Sequence, residues 1–112
     1  MIERYRVYWV NLNPVIGSEI AKTRPAVVVS DNSMNKWLNT VVICPLSTRL
    51  HPRWPSRIPV QLDGQPAEIA VDQIRTIEKA RIGQALEQLD TGAINDLRHI
   101  ITTMYGVLAP VE

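Results

Sequence analysis

A chain of 112 residues has room for one domain, and on folding it withdraws roughly 65% of its extended surface from water, enough for one hydrophobic core. With 46% hydrophobic and 21% charged residues it has the make-up of an ordinary globular protein, which excludes a disordered chain. A formal net charge of +1 excludes a molecule whose overall field alone selects its partners.

The N-terminal stretch Met1-Ile2-Glu3-Arg4 has no apolar leader, and no apolar run approaches the roughly 20 residues of a membrane span. Both features predict a cytoplasmic protein with no membrane partner. Residues 7–12 are rich in β-branched and aromatic side chains and end at the turn signal Asn13-Pro14, which predicts a first strand. Residues 26–30 are a continuous apolar run between Pro25 and Asp31-Asn32, the pattern of a strand buried on both faces or closing a small barrel. Residues 40–46 predict a third strand, stopped by Pro45 near its end. Its Cys44, the single cysteine, reads as a buried structural thiol with no disulfide partner and no zinc spacing around it. Residues 57–62 predict a fourth strand, followed by the hairpin signal Asp63-Gly64. Residues 68–77 alternate well enough to continue the sheet.

The last third changes period. Ile94, Leu97, Ile101, Met104, Tyr105 and Leu108 recur every three or four residues, the apolar stripe of an amphipathic helix that Asp90 or Thr91 caps and Pro110 ends. No repeat or shift in composition marks a second domain, so residues 1–112 read as one unit. Short strands followed by one helix predict a small, strongly bent antiparallel barrel with the helix packed on it. Two longer loops stand out, residues 13–23 with Gly17 and residues 47–56 with Pro52 and Pro55, and long loops on a rigid barrel are where function usually sits. Residues 49–57 hold the sharpest charge excess: Arg49, Arg53 and Arg57 have no acidic neighbour, and His51 and Trp54 lie among them. A polyanion can use such a stretch.

The segment Asn13-Pro14-Val15-Ile16-Gly17-Ser18-Glu19, followed by Lys22-Thr23-Arg24-Pro25-Ala26-Val27-Val28-Val29-Ser30, resembles the opening signature of the MazF/PemK toxins. Pro45-Leu46-Ser47-Thr48 is similar to that family's second motif and Asp72-Gln73-Ile74-Arg75-Thr76-Ile77 to its third. The three blocks keep the family's order and spacing, and the resemblance spans nearly the whole chain. It implies an SH3-like β-barrel with a C-terminal helix, shared with the CcdB gyrase poisons. It implies sequence-selective cleavage of single-stranded RNA without metal or cofactor, leaving a 2',3'-cyclic phosphate and a 5'-hydroxyl. It further implies a homodimer and a cognate antitoxin protein that covers the RNA groove. The family's key arginine falls on Arg24 and its key threonine on Thr48. Tyr5-Arg6 departs from the pattern, standing where members commonly carry a Gly-acid pair.

The same residues can be read from their chemistry. Arg24 precedes Pro25, which pushes its backbone towards an extended form at the mouth of a strand. A guanidinium there can grip a scissile phosphate and stabilise the charge that grows in the transition state; the bland alternative is a surface arginine paired with Glu19 or Asp72. A guanidinium is a poor acid or base, which makes proton transfer the weaker role. The hydroxyls of Ser47 and Thr48 can complete an oxyanion site or simply cap a turn. Asp72, Glu19 and His51 are candidate bases. An ordinary imidazole, with a pKa of about 6.5, suits the task best, but His51 lies in the variable loop and reads as a solvated residue. Asp72 can instead hold the loop that carries Arg24, and Glu19 can orient Arg24 through an ion pair. Gln73 can read a base edge, and Trp54 with Arg53 and Arg57 can form a stacking and phosphate-steering rim; covering the core is the alternative for Trp54. Arg49 and Lys22 complete the candidate RNA contacts. Two competing classes are a non-catalytic SH3-like binding module and a CcdB-like gyrase inhibitor. The end Leu108-Ala109-Pro110-Val111-Glu112 lacks the tryptophan of such inhibitors.

Overall fold

The structure, a computed structural model, describes residues 1–106. Its strands are β1 (Arg6–Asn11), β2 (Thr23–Val28), β3 (Thr40–Ser47), β4 (Arg57–Leu62), β5 (Gln65–Ala70), β6 (Arg75–Glu78) and β7 (Ile82–Gln88). Two helices, α1 (Asn32–Trp37) and α2 (Thr91–Tyr105), complete it. The strands form one curled antiparallel sheet in the order β4-β5-β3-β2-β1-β7, with β6 also on β3. This is the expected bent sheet with a C-terminal helix.

Strand β3 makes the curl. Along one edge its first half pairs with β6, from Thr40 against Glu78 to Ile43 against Arg75. Its last residues, Leu46 and Ser47, pair with β5 instead. Pro45 falls in the gap between these ladders. The Val42 carbonyl accepts from Val29 on the β2 side, so alternation turns Pro45 to the opposite edge, where no partner asks for its missing N–H. For that reason Pro45 does not stop the strand, as the sequence suggests, and β3 runs on to Ser47.

The central strands bury both faces. Val7, Val27, Val29, Cys44 and Leu46 pack with Ile58, Ile69, Val71 and Leu97 of α2 in one cluster. Tyr8, Val10, Leu12, Ala26, Val28, Val41, Ile43 and Ile77 form the other. Alternate residues of β1 and β2 therefore point to opposite cores, which is why residues 26–30 are continuously apolar. Cys44 is fully buried, and burial, with the Asp72 charge adding to it, pushes its thiol up to about 12. Between β4 and β5, Asp63 and Gly64 have φ of 50° and 75°, the pair of positive angles a two-residue hairpin requires.

One reading needs correction, and two elements are not foreseen in the sequence. Residues 68–77 are not one strand: a 3-10 turn at Val71–Gln73 separates β5 from β6. Helix α1 was not legible, because Asp31-Asn32 reads as a turn; Asp31 in fact caps the helix by accepting from the Ser33 amide at 3.0 Å. Strand β7 is an edge strand of small and polar residues with register shifts against β1, so it carries no alternation to detect. In α2 the Asp90 cap is present, accepting from the Ala93 amide at 2.8 Å. Ala93 and Leu97 are buried, whereas Met104 and Tyr105 lie largely exposed at the far end. Leu108 and Pro110 fall outside the described residues.

The departure at Tyr5-Arg6 is accommodated. Tyr5 takes φ 67°, the left-handed region that favours glycine. Arg6 faces β7, donating to the Leu86 carbonyl at 2.8 Å. No helix among the described residues is long and apolar enough to cross a membrane.

Candidate functional site

Two loops leave the same end of the sheet. The first, residues 12–22, joins β1 to β2 and delivers Arg24; the second, residues 48–56, leaves β3 through Ser47 and Thr48. Between them lies a cleft of about 560 Å³ that gathers Arg24, Ser47, Thr48, Arg49, His51, Trp54, Arg57 and Gln73. Three arginines line it and no carboxylate does. A second hollow of similar size, about 590 Å³, lies between the β4–β5 hairpin and the start of α2. It is lined by Glu68, Glu87, Asp90 and Asp96 with no cation, which suits it poorly to a polyanion. The first cleft is the candidate site.

Both loops hang from one short segment, residues 72–75. Gln73 accepts the Ile20 amide at 3.3 Å, and Arg75 donates to the Leu12 carbonyl at 3.2 Å. Arg81 adds bonds to the carbonyls of Asn11 and Asn13. On the other side Asp72 accepts from Ser56 at 2.8 Å and from the Arg57 Nε at 2.9 Å. Arg57 also faces Glu68 at 3.7 Å; the side chains of Arg57 and Glu68 are only 6% and 3% exposed. Glu68 takes the His51 amide at 2.7 Å, pinning the second loop. Buried charges persist only when paired in this way.

Arg24 and Thr48 are left available. The Arg24 Nε donates to the Ala21 carbonyl at 3.3 Å, while its terminal nitrogens and the Thr48 hydroxyl have no partner among the described residues. The Ser47 hydroxyl differs: it takes the Arg49 amide at 3.1 Å, so it closes a turn. Trp54 stacks on His51 with ring centroids 3.8 Å apart and planes within 10°. The Arg57 guanidinium lies 4.8 Å from the same ring's centre.

Several expected arrangements are not made. Glu19 does not pair with Arg24; it faces Arg75 at 3.9 Å and takes the Ile16 amide. Asp72 neither pairs with Arg24 nor holds its loop. Partial burial pushes the Asp72 carboxyl up, but hydrogen bonds from Arg57 and Ser56 and the Arg57 charge outweigh this and hold it below the usual 3.8. A carboxylate so satisfied is a poor base. Arg57 is not a solvated rim residue but part of a buried ion-pair cluster. Arg53 and Lys22 are exposed and lie outside the cleft lining. The anchoring roles of Glu68, Ser56 and Arg75 were missed. The one available signal was an acid, Glu68, inside an otherwise apolar stretch.

A family model described as "PemK-like, MazF-like toxin of type II toxin-antitoxin system" matches residues 3–105. The chain is 27% identical to "Endoribonuclease MazF" of Staphylococcus saprophyticus over 96% of its own length and 93% of that protein's. Among solved structures it resembles MazF from Deinococcus radiodurans, with a TM-score of 0.80 at 21% identity, covering 94% of this chain and 96% of that one. It also resembles an endoribonuclease from a mycobacterial species in complex with its cognate antitoxin. The TM-score there is 0.74 at 22% identity, covering 96% and 95%. The SH3-like fold expected from the motifs is thus the fold observed.

Proposed function

The chain belongs to the PemK-like, MazF-like toxins of type II toxin–antitoxin systems, and from that premise we propose that it is an endoribonuclease cutting single-stranded RNA at a short sequence. The observation that carries this reading is the cleft lined by both Arg24 of β2 and Thr48 just after β3, with the terminal guanidinium nitrogens and the Thr48 hydroxyl unpaired among the described residues and no carboxylate in the lining. Arg24 grips the scissile phosphate and neutralises the charge that builds on it. Thr48 donates its hydroxyl to a non-bridging oxygen. The adjacent ribose 2'-hydroxyl attacks in line, giving a 2',3'-cyclic phosphate and a 5'-hydroxyl, a transesterification that needs charge stabilisation and no cofactor. Gln73, with its side-chain oxygen committed to Ile20, keeps its amide nitrogen for a base edge. Arg49, Arg53 and Trp54 line the path of the strand, and Lys22 extends it. The protein works as a homodimer and is neutralised by a cognate antitoxin.

The test is cleavage of a long end-labelled RNA in excess chelator, beside the Arg24→Ala variant. The wild type gives discrete cuts ending in cyclic phosphate. Arg24→Ala slows cleavage by about 100- to 1000-fold, the usual effect of removing one transition-state donor. Its fold is unchanged, because Arg24 lies at a loop mouth outside both core clusters. Near-wild-type cleavage by Arg24→Ala sinks the site assignment, and no cleavage by the wild type sinks the activity.

A further inference from the structure

Cleavage by a ribose hydroxyl requires a group to take its proton, and the two carboxylates best placed in the sequence are committed elsewhere. Glu19 turns to Arg75 and its own loop, and Asp72 is consumed by Arg57 and Ser56. The Arg24 guanidinium offers donors and no acceptor. Of the side chains that line the cleft, His51 carries the one imidazole, the side-chain type best suited to accept and return a proton.

Its placement is built rather than incidental. The His51 amide is fastened to the buried Glu68 carboxylate at 2.7 Å. Its carbonyl accepts from the Trp54 amide at 3.0 Å, closing a tight turn. Its ring lies flat on Trp54, which fixes the plane of the imidazole. Neither ring nitrogen has a hydrogen-bond partner among the described residues, so both remain for a substrate.

We infer that the His51 imidazole accepts the 2'-hydroxyl proton during RNA cleavage, a role that rests on the ribonuclease activity proposed above. As the O2'–P bond forms, the proton passes to a neutral ring nitrogen. The P–O5' bond breaks, the 5'-oxygen takes a proton from water, and the imidazolium returns its own to solvent. The charged groups around the ring are Arg49 and Arg53 on its loop, Arg57 on β4, Glu68 on β5 and Arg24 at the facing wall. A stacked but chemically idle His51 would only support Trp54.

His51→Phe separates the two roles, since phenylalanine preserves an aromatic stack and cannot accept a proton. The readouts are single-turnover cleavage of a short RNA across pH 5 to 8 and binding of the same RNA with 2'-O-methyl groups, which cannot be cut. The wild-type rate rises with pH where imidazoles titrate, as the accepting form fills. In His51→Phe the rate falls at least about 100-fold, the pH-dependent limb disappears, and binding stays within about threefold. A variant that keeps the wild-type rate, keeps the limb, or loses affinity in place of rate overturns the assignment. His51→Gln, which keeps polarity without a base, must lose the same limb or the assignment also falls. An inactive wild type instead overturns the ribonuclease activity itself, a failure visible before any variant is compared.

Discussion

Asp72 accepts the Nε–H of Arg57 at 2.9 Å, and this bond makes a residue with the chemistry of a base into a structural tie. The bond joins the 3-10 turn after β5 to the first residue of β4. Because Arg57 also faces the buried Glu68, the cation sits between two carboxylates and holds the floor under the second loop.

The Asp72 tie has a pH signature. Its carboxyl titrates below the ordinary value when folded, so its stabilisation is complete above the unfolded pKa, about 3.9, and is lost as pH falls through the folded one. Asp72→Asn should cost about 2 kcal/mol at pH 7, the scale of a hydrogen bond to a charged group. Urea unfolding at pH 7 and at pH 3 checks this; the gap to wild type must narrow at the lower pH. A gap that is constant with pH would mean the carboxylate charge contributes nothing.

Two arginines that look alike in the sequence should behave differently. Arg49 is exposed at the cleft, so Arg49→Ala should leave stability within about 0.5 kcal/mol. The slope of log affinity for single-stranded RNA against log salt should become shallower by about 0.7, one phosphate contact. Arg57→Ala strands the buried Glu68 carboxylate and the partly buried Asp72 carboxylate and should destabilise by about 3–5 kcal/mol. Denaturation and a salt titration of RNA binding on each variant distinguish them, and an equal stability for both would refute the buried cluster.

Cys44 is fully buried with its thiol raised to about 12, so almost no thiolate exists at neutral pH. Ellman's reagent should label the native protein no faster than it unfolds and the urea-unfolded chain at once. Rapid labelling of native protein would show that the strand opens locally.

The Tyr5 hydroxyl is buried with no hydrogen-bond partner among the described residues. Removing an unsatisfied buried hydroxyl relieves its desolvation cost, so Tyr5→Phe should stabilise the protein by about 1 kcal/mol. Thermal unfolding measures it, and a lower melting temperature would mean that the hydroxyl has a partner.

What could be seen in the sequence depended on whether the signal was local. The two-sided burial of β2, the Asp63-Gly64 hairpin and the Asp90 cap follow from short-range rules of residue pattern, turn chemistry and capping, and all are present. Arg24 and Thr48 were singled out because motif resemblance and strand-end placement agree. The pairing of charges was not legible. Glu19 and Arg24 are near in sequence, but a strand-entry geometry separates them, and Glu19 finds Arg75 across the sheet. Glu68, 3% exposed, could be recognised as an anchor only once β4 and β5 were paired and Arg57 stood beside it. His51 reads from the sequence as a solvated loop residue, and only the folded chain shows its amide fastened to Glu68 and its ring stacked on Trp54.

The ties to the first loop reach main-chain atoms: the Ile20 amide, and the carbonyls of Asn11, Leu12 and Asn13. Apart from the Arg75–Glu19 ion pair, this clamp holds only what every amino acid shares and does not depend on which side chains the loop carries. Residues such as Ile16 and Ser18, exposed on that loop, can therefore be exchanged without releasing it. Substitution along the exposed tip of that loop therefore leaves in place the main-chain anchors that set where β2, and with it Arg24, begins.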